Sequence, residues 1–277
     1  MRACVGCAGR AVSERPDLTA QGYRRFRCRD CGKQFNERSG GLLNRTQYPS
    51  DIIALVVFHR LRYKLSLRDL AEMFLLRGII FSYEAVRAWE AILTPSMITA
   101  LRQRRGGGAR IGRSWYVDET YVKVRGRWCY LYRAIDRAGR LVDARLSQTR
   151  DMAAAIAFFE AATTVTGAEP SRVTTDGHDS YPRAIRTVIS TKGQVRHRTN
   201  RYLNNRIEQD HRGIKSRYGP MKGFGAFASA ARFCSAFDEV RHLLRFDTSQ
   251  RAAATPAAGR MTFQKRSDIA LKILVSA

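Results

Sequence analysis

Asp118, Asp176 and Glu208 are the side chains whose type and placement point most directly to chemistry. Asp118 lies inside "WYVDETYV", which otherwise reads as a buried strand, and an aspartate there is unfavourable unless paired or bound to a cation. Asp176 closes the strand-like "RVTTD" and is followed by Gly177, at the carboxyl end where open sheets form ligand sites. Glu208 belongs to "YLNNRIEQDHRGIK", a helical stretch for which Asn204 or Asn205 is the expected cap. Three carboxylates from two strands and one helix can converge on two divalent metals, which stabilise the attacking and leaving oxygens of phosphoryl transfer. Two Mg²⁺ (or Mn²⁺) suit such oxygen ligands. Lys215, about two helical turns beyond Glu208, shares its face and is placed to touch a phosphate.

Each acid also has a plainer reading that the residues leave open. Asp118 has Lys123 and Arg125 nearby, Asp176 precedes a helix it can cap, and Glu208 has Arg212 at i+4. Tyr181 follows the second acid, but the clustered Arg-His-Arg set of a phosphotyrosine recombinase does not accompany it. His178, His197 and His211 lie near the same region without a general-base assignment.

A second constellation opens the chain. Cys4-x-x-Cys7 and Cys28-x-x-Cys31 have the spacing of a four-thiolate tetrahedral Zn²⁺ site, with Tyr23, Phe26 and Phe35 as its small expected core. Four thiolates leave no open coordination position, so this zinc is structural. Arg24, Arg25, Arg27, Arg29 and Lys33 give the ribbon a basic surface suited to phosphates. Cys129 and Cys234 are lone thiols in apolar runs and read as core.

The elements that must hold these residues fall into segments. A zinc ribbon is expected over 1–40 and a helix-turn-helix domain over 48–100. In the latter, Ser50 or Asp51 caps a first helix and Ser66 a second. Gly78 breaks that second helix, and Ser82 caps a third bearing Val86 and Trp89. Tyr83, Glu84 and Arg87 are the base-reading candidates, with Trp89 in the core. "RQRRGGGAR" predicts a linker over 101–112. From 113 to 246 three β-rich runs turn at Gly126 and Gly139. A helix follows with an Ile156, Phe159 and Val165 stripe, then strand, helix, strand and helix, an α/β order with a mixed sheet. The tail over 247–277 starts alanine-rich and promises only marginal structure.

Charge narrows the partner. The 49 Lys and Arg outnumber 24 Asp and Glu for a net +25, which calls for a polyanion. No apolar run approaches the roughly 18 residues of a membrane span. The opening "MRACVGCAGR" has no apolar signal core, so a cytoplasmic, nucleoid-associated prokaryotic protein acting on double-stranded DNA is the expectation, with no membrane and no organic cofactor. Arg198, Arg201 and Arg212, with Arg196 and Arg206, extend a basic track beside the acids.

"WYVDETYVKVRGRWCYLYRAID", "TTDGHDSYPRAI" and "RYLNNRIEQDHRGIKSRYGPMKGF" resemble the three catalytic blocks of a DDE transposase of the insertion-sequence-six family. The likeness reaches into "YKLSLRDLAEMFLLRGIIFSYEAVRAWE", similar to that family's helix-turn-helix, and covers about residues 48–246. Asp118 and Asp176 fall on the family's two aspartates, Glu208 on its glutamate and Lys215 on the basic residue two turns beyond. The resemblance implies a ribonuclease-H-like catalytic domain that binds terminal inverted repeats, cleaves 3′ ends and transfers strands, generally through a cointegrate. Two ends held together imply a homodimer or higher oligomer. Many members begin at the helix-turn-helix, so the zinc ribbon is a departure, and the tail matches no part of the family pattern. A stand-alone ribonuclease-H-like nuclease, or a DNA-binding regulator with an inactive catalytic domain, are the rival readings.

Overall fold

The structure, a computed structural model, describes residues 2–105, 111–189, 195–199, 204–221, 223–246 and 255–276. Arg201, the three consecutive glycines of the expected linker and the alanine-rich start of the tail lie outside the described residues.

The N-terminal ribbon is an antiparallel sheet in the order β1 (Val12–Leu18), β2 (Arg24–Cys28), β3 (Gln34–Asn36). Its core is Cys4, Phe26, Cys28 and Phe35 with Val12 against them, far too little apolar surface to hold a fold without a staple. Tyr23, expected in that core, does something else. Its hydroxyl accepts the backbone N–H of Ser50 at 2.7 Å, and Arg38 stacks on its ring at 5.1 Å. Helix α1 (Ser50–Arg62) therefore has one of its orphan N–H groups satisfied from the ribbon, not by a Ser50 or Asp51 side chain. Arg24 and Arg25 of the basic surface are paired to Glu37 and Asp17.

Helices α2 (Leu67–Leu75) and α3 (Tyr83–Arg105) complete the three-helix unit. A reciprocal capping box joins Ser66 and Asp69, Gly78 takes a positive φ of 75° in the turn, and Ser82 accepts from Ala85 N. Ile53, Val57, Leu61, Leu70, Phe74, Val86, Trp89 and Leu93 are buried between the helices. The expected linker, by contrast, opens inside α3, which continues through Pro95 to Arg105. Arg105 meets Glu239 at 2.8 Å, and Arg102 meets Asp143 at 2.9 Å. Arginines that read as linker in sequence thus clamp the helical unit onto the sheet domain.

That domain is a five-stranded mixed sheet in the order β6-β5-β4-β7-β8. β4 (Ser114–Val124), β5 (Arg127–Asp136) and β6 (Leu141–Ser147) form an antiparallel meander. β7 (Arg172–Thr175) and β8 (Arg196–Thr199) add in parallel. Arg125 and Gly126 both take positive φ, 49° and 78°, as a tight hairpin turn between right-twisted strands requires. An antiparallel three-strand meander extended by two parallel strands, with helices on both faces, is the ribonuclease-H-like arrangement.

Alternation along β4 sorts the faces. Trp115 and Val117 meet α4 (Met152–Thr166) and α5 (Ser180–Val188) in one core, together with Phe158, Phe159 and Tyr181. The α4 stripe is Ala155, Phe158, Phe159 and Ala162, one step round the helix from the expected stripe; Phe159 is common to both, while Ile156 and Val165 are only half-buried. Val122 and Val124 on the other face join α6 (Asn205–Tyr218), α7 (Phe227–Leu244) and the helical unit. The tail, expected to be marginal, forms α8 (Pro256–Ser276), packed on α1, α3 and α7. Phe263, Ser267, Ala270 and Leu274 recur at helical spacing and supply its apolar stripe.

The α6 face holds a buried ion cluster. Arg133, 1% exposed, bonds Asp210 and Asp238, each at 2.6 Å. Asp210 also takes Arg241 at 2.7 Å and Arg245 at 2.6 Å. Burial alone raises the Asp210 carboxyl; Arg133, Arg241 and Arg245 override it and bring it down to about 2. Replacing Asp210 by Asn leaves Arg133 without half its counter-charge, and urea unfolding should show a loss of about 3–5 kcal/mol. A loss within the roughly 1 kcal/mol of a surface pair would contradict the account.

His242 of α7 accepts Leu141 N at Nδ1, and burial followed by the Arg105 charge holds it down at about 4. In the unfolded chain it protonates near pH ~6.5. The unfolded state therefore binds the extra proton first, so stability should fall as pH drops from about 6.5 to about 4. Denaturant titrations across that range should show a shallower fall for His242→Gln, and an unchanged slope would refute the assignment.

Candidate active site

Asp118 is carried in the middle of β4, with its side chain 14% exposed and Oδ2 3.7 Å from His211 Nδ1 on α6. Its carboxyl is pushed up to about 7, first by burial and then by the negative charges of Glu119, Asp176 and Glu208. The second and third predicted acids are therefore near enough to be felt at the first. Asp176 directly follows β7; Oδ1 accepts the N–H of His178 at 3.0 Å and Oδ2 a bond from Arg150 at 3.3 Å. Glu208 stands exposed in the first turn of α6, and among the described residues no ion pair engages it.

The plainer readings do not hold in this geometry. Arg125 donates to the carbonyl of Gly225, and Lys123 lies over the Trp128 ring, so neither pairs with Asp118. Helix α5 starts after Asp179, not Asp176, and Arg212 makes no ion pair with Glu208. Asn204 occupies the expected cap position of α6 but makes no cap bond. Its amide donates instead to the carbonyl of Val117 at 3.2 Å, one residue before Asp118. That bond, with the Asp210 cluster one turn on, sets where α6 presents Glu208.

Lys215 and Arg212 are exposed, while Ile207, Asp210, His211 and Ile214 are buried beneath them, so the helix turns one cationic edge outward beside Glu208. Arg198 lies half-buried on the edge strand β8. Tyr83, Glu84 and Arg87 are exposed in the first turn of α3. Arg87 pairs with Glu84 at 2.6 Å, and the Tyr83 ring lies between Arg68 and Arg87.

Sequence reasoning passed over the neighbour of the first acid. Glu119 points to the opposite face of β4 from Asp118, is buried, and is bonded by the Tyr181 hydroxyl and by Arg150. Arg150 thereby links Glu119 to Asp176. Tyr181, wholly buried with its hydroxyl held by a carboxylate, is a structural donor and no nucleophile. The clue was available, since an Asp-Glu pair within a strand must send one acid into each face. His178 bonds Ser180, His197 bonds Thr175, and burial followed by the Arg133 charge takes His211 down to about 3.

Two donor sets invite metals. Cys4, Cys7, Cys28 and Cys31 bring their sulfurs within 4.8 Å of one another, with Gly6 N–H donating to Cys4 Sγ, which fits a tetrahedral zinc. The three acids are not drawn to that spacing among the described residues. Like charges repel, and Arg150 supplies a counter-charge to Asp176. Their oxygen chemistry and the raised proton affinity of Asp118 still fit a hard divalent cation, which relieves the same repulsion.

Comparison with known proteins bears on this arrangement. A family model described as a DDE domain matches residues 112–247. The chain is 37% identical over 174 residues to a Staphylococcus aureus transposase for the insertion sequence-like element IS431mec, covering 62% of this chain and 75% of that protein. The same figures hold for the S. aureus transposase of IS257 in transposon Tn4003. Similar solved structures include the HTLV-2 integrase catalytic core with magnesium, at 14% identity and a TM-score of 0.39, covering 51% of this chain and 93% of that one. The catalytic domain of Mos1 mariner transposase aligns at 12% identity and a TM-score of 0.35, covering 66% and 93%.

Elemental analysis of the purified protein should return one zinc per chain, with Cys7→Ser and Cys28→Ser each lowering that content. Absence of zinc from protein purified without chelators would remove the four-thiolate assignment.

Proposed function

Because the chain belongs to the DDE transposases of the insertion-sequence-six family, enzymes of DNA cleavage and strand transfer, we propose that its three acids act as one site at the ends of an insertion sequence. What supports this reading is the raised proton affinity of the half-buried Asp118 of β4, to which the charges of Asp176 after β7 and Glu208 on α6 both contribute. In this proposal the protein binds terminal inverted repeats, frees a 3′-hydroxyl at each end and joins it to target DNA, by a replicative route through a cointegrate.

Asp118, Asp176 and Glu208 hold two Mg²⁺ or Mn²⁺, which when bound supply charge neutralisation at the attacking and leaving oxygens. Lys215 and Arg212 lie on the outward edge of α6 beside Glu208 and hold the phosphate next to the scissile bond. Asn204 and Asp210 keep that helix in register with β4. Arg150 supplies a counter-charge to the Asp176 carboxylate.

End recognition falls to the front of the chain. The first turn of α3 is the exposed start of a third helix behind a glycine turn, the arrangement that enters a major groove. Arg87 and Glu84 exchange their mutual pair for base edges, with Tyr83 beside them. Arg198 and Arg201 add phosphate contacts. The zinc ribbon, joined to α1 through Tyr23, lies against the same helical unit. Two ends must be held together, so the working form is at least a homodimer. No helix among the described residues is long and apolar enough to cross a membrane.

Purified protein, divalent metal, a plasmid target and labelled element ends test this directly. Asp118→Asn, Asp176→Asn and Glu208→Gln should each lower joining by more than the about 10–100-fold of an outer-shell change while retaining end binding. Joining by any of the three at the parent rate would remove that residue from the site.

A further inference from the structure

The outer part of the β4–β5 hairpin presents aromatic surface at Tyr121 and Trp128 that neither the cores nor the acid site uses, with Tyr130 between it and the core. Directly paired residues of neighbouring strands share a face, so Glu119, Tyr121 and Lys123 stand beside Tyr132, Tyr130 and Trp128. Near the sheet centre this face is covered, with Tyr132 stacked on Phe158 of α4 at 5.9 Å. Further out it is open. Trp128 is 56% exposed and Tyr121 49%, their rings meeting edge-on at 6.0 Å, with Tyr130 5.4 Å from Tyr121.

Charge follows the rings. Lys123 Nζ lies 5.6 Å over Trp128, and Arg145, in register with Tyr132, is exposed on the same face. The acids of this region are turned away from it: Glu119 is buried against Arg150 and Tyr181, and Asp151 accepts the N–H of Ala154 at the start of α4. The surface lies on the face of the sheet opposite Asp118 and is linked to Asp176 only round the end of the strands. Arg150 bonds both Glu119 and Asp176, and Tyr121 is two strand positions, about 7 Å, beyond Glu119.

Rings with adjacent cations suit a nucleic-acid strand whose bases are not paired, because every base has a face to stack and a phosphate beside it. In a duplex those faces are hidden in the helical stack. We propose that Tyr121, Trp128 and Tyr130, with Lys123, form a platform that stacks the unpaired bases of an opened DNA strand passing the outer end of the β4–β5 hairpin. The proposal rests on the strand-transfer reading above.

The full chain carries its own probe, since Trp89 and Trp115 are buried and Trp128 is exposed. Titration with a short single-stranded oligonucleotide should quench tryptophan emission, and the blunt duplex of the same sequence should quench it far less. By anisotropy of a labelled strand, Trp128→Ala and Tyr121→Ala should each weaken single-strand binding about tenfold and leave duplex binding unchanged. Far-UV circular dichroism verifies that the variants fold. Absent quenching, or an equal loss on both DNA forms, would overturn the platform. So would a change in mass by light scattering, which would make this face a contact between copies. End cleavage by the parent protein is read separately: quenching without cleavage faults the strand-transfer reading, and cleavage without quenching faults the platform.

Discussion

Arg133 lies almost wholly out of water, directly across the β4–β5 ladder from Asp118, and its guanidinium is divided between Asp210 of α6 and Asp238 of α7. Moving such a charge into the interior is costly, and only close, multiply bonded counter-charges make it tolerable. The arrangement that satisfies Arg133 therefore also fixes two helices against the strand that bears the first acid. Asp210 follows Glu208 by two residues on α6, so the helix that buries one carboxylate against Arg133 presents the other at its exposed edge. The position of the third acid is a consequence of burying the cluster.

The same logic of paired charges links the remaining parts. Glu239 and Asp143 receive Arg102 and Arg105 from the end of α3, which makes the helical unit an extension of the sheet domain. Glu119 and Arg150 carry charge from one face of β4 round to Asp176. In a chain with a net charge of +25, acids are scarce, and these are committed to holding arginines in fixed places. Glu208 is the contrast, exposed and with no ion-pair partner among the described residues.

Much of this was legible because local chemistry and period agreed. The two CxxC pairs, the Ser66 capping box, the glycine turns at Gly78 and Gly126 and the Asp118 strand each carry their own signal in a few residues. What was missed depends on contacts distant in sequence. Nothing near Tyr23 tells that its hydroxyl meets Ser50, and nothing near Arg105 tells that Glu239 awaits it. "RQRR" beside glycines reads as a linker until its partners are known. The C-terminal helix was overlooked because its stripe is made of Ser267, Ala270 and Leu274, weakly apolar alone and sufficient only against α1, α3 and α7. Glu119 is another such case, because its partners Arg150 and Tyr181 stand on later elements far along the chain.

Binding of Mn²⁺, followed by calorimetry on protein freed of other divalent cations but with the cysteine-bound zinc left in place, tests the central claim most directly. The account predicts binding by the parent that is lost in Asp118→Asn and strongly weakened in Glu208→Gln, with zinc content unaltered in both. Equal Mn²⁺ binding by all three proteins would contradict it, and would mean that the acids on β4 and α6 do not share a metal site.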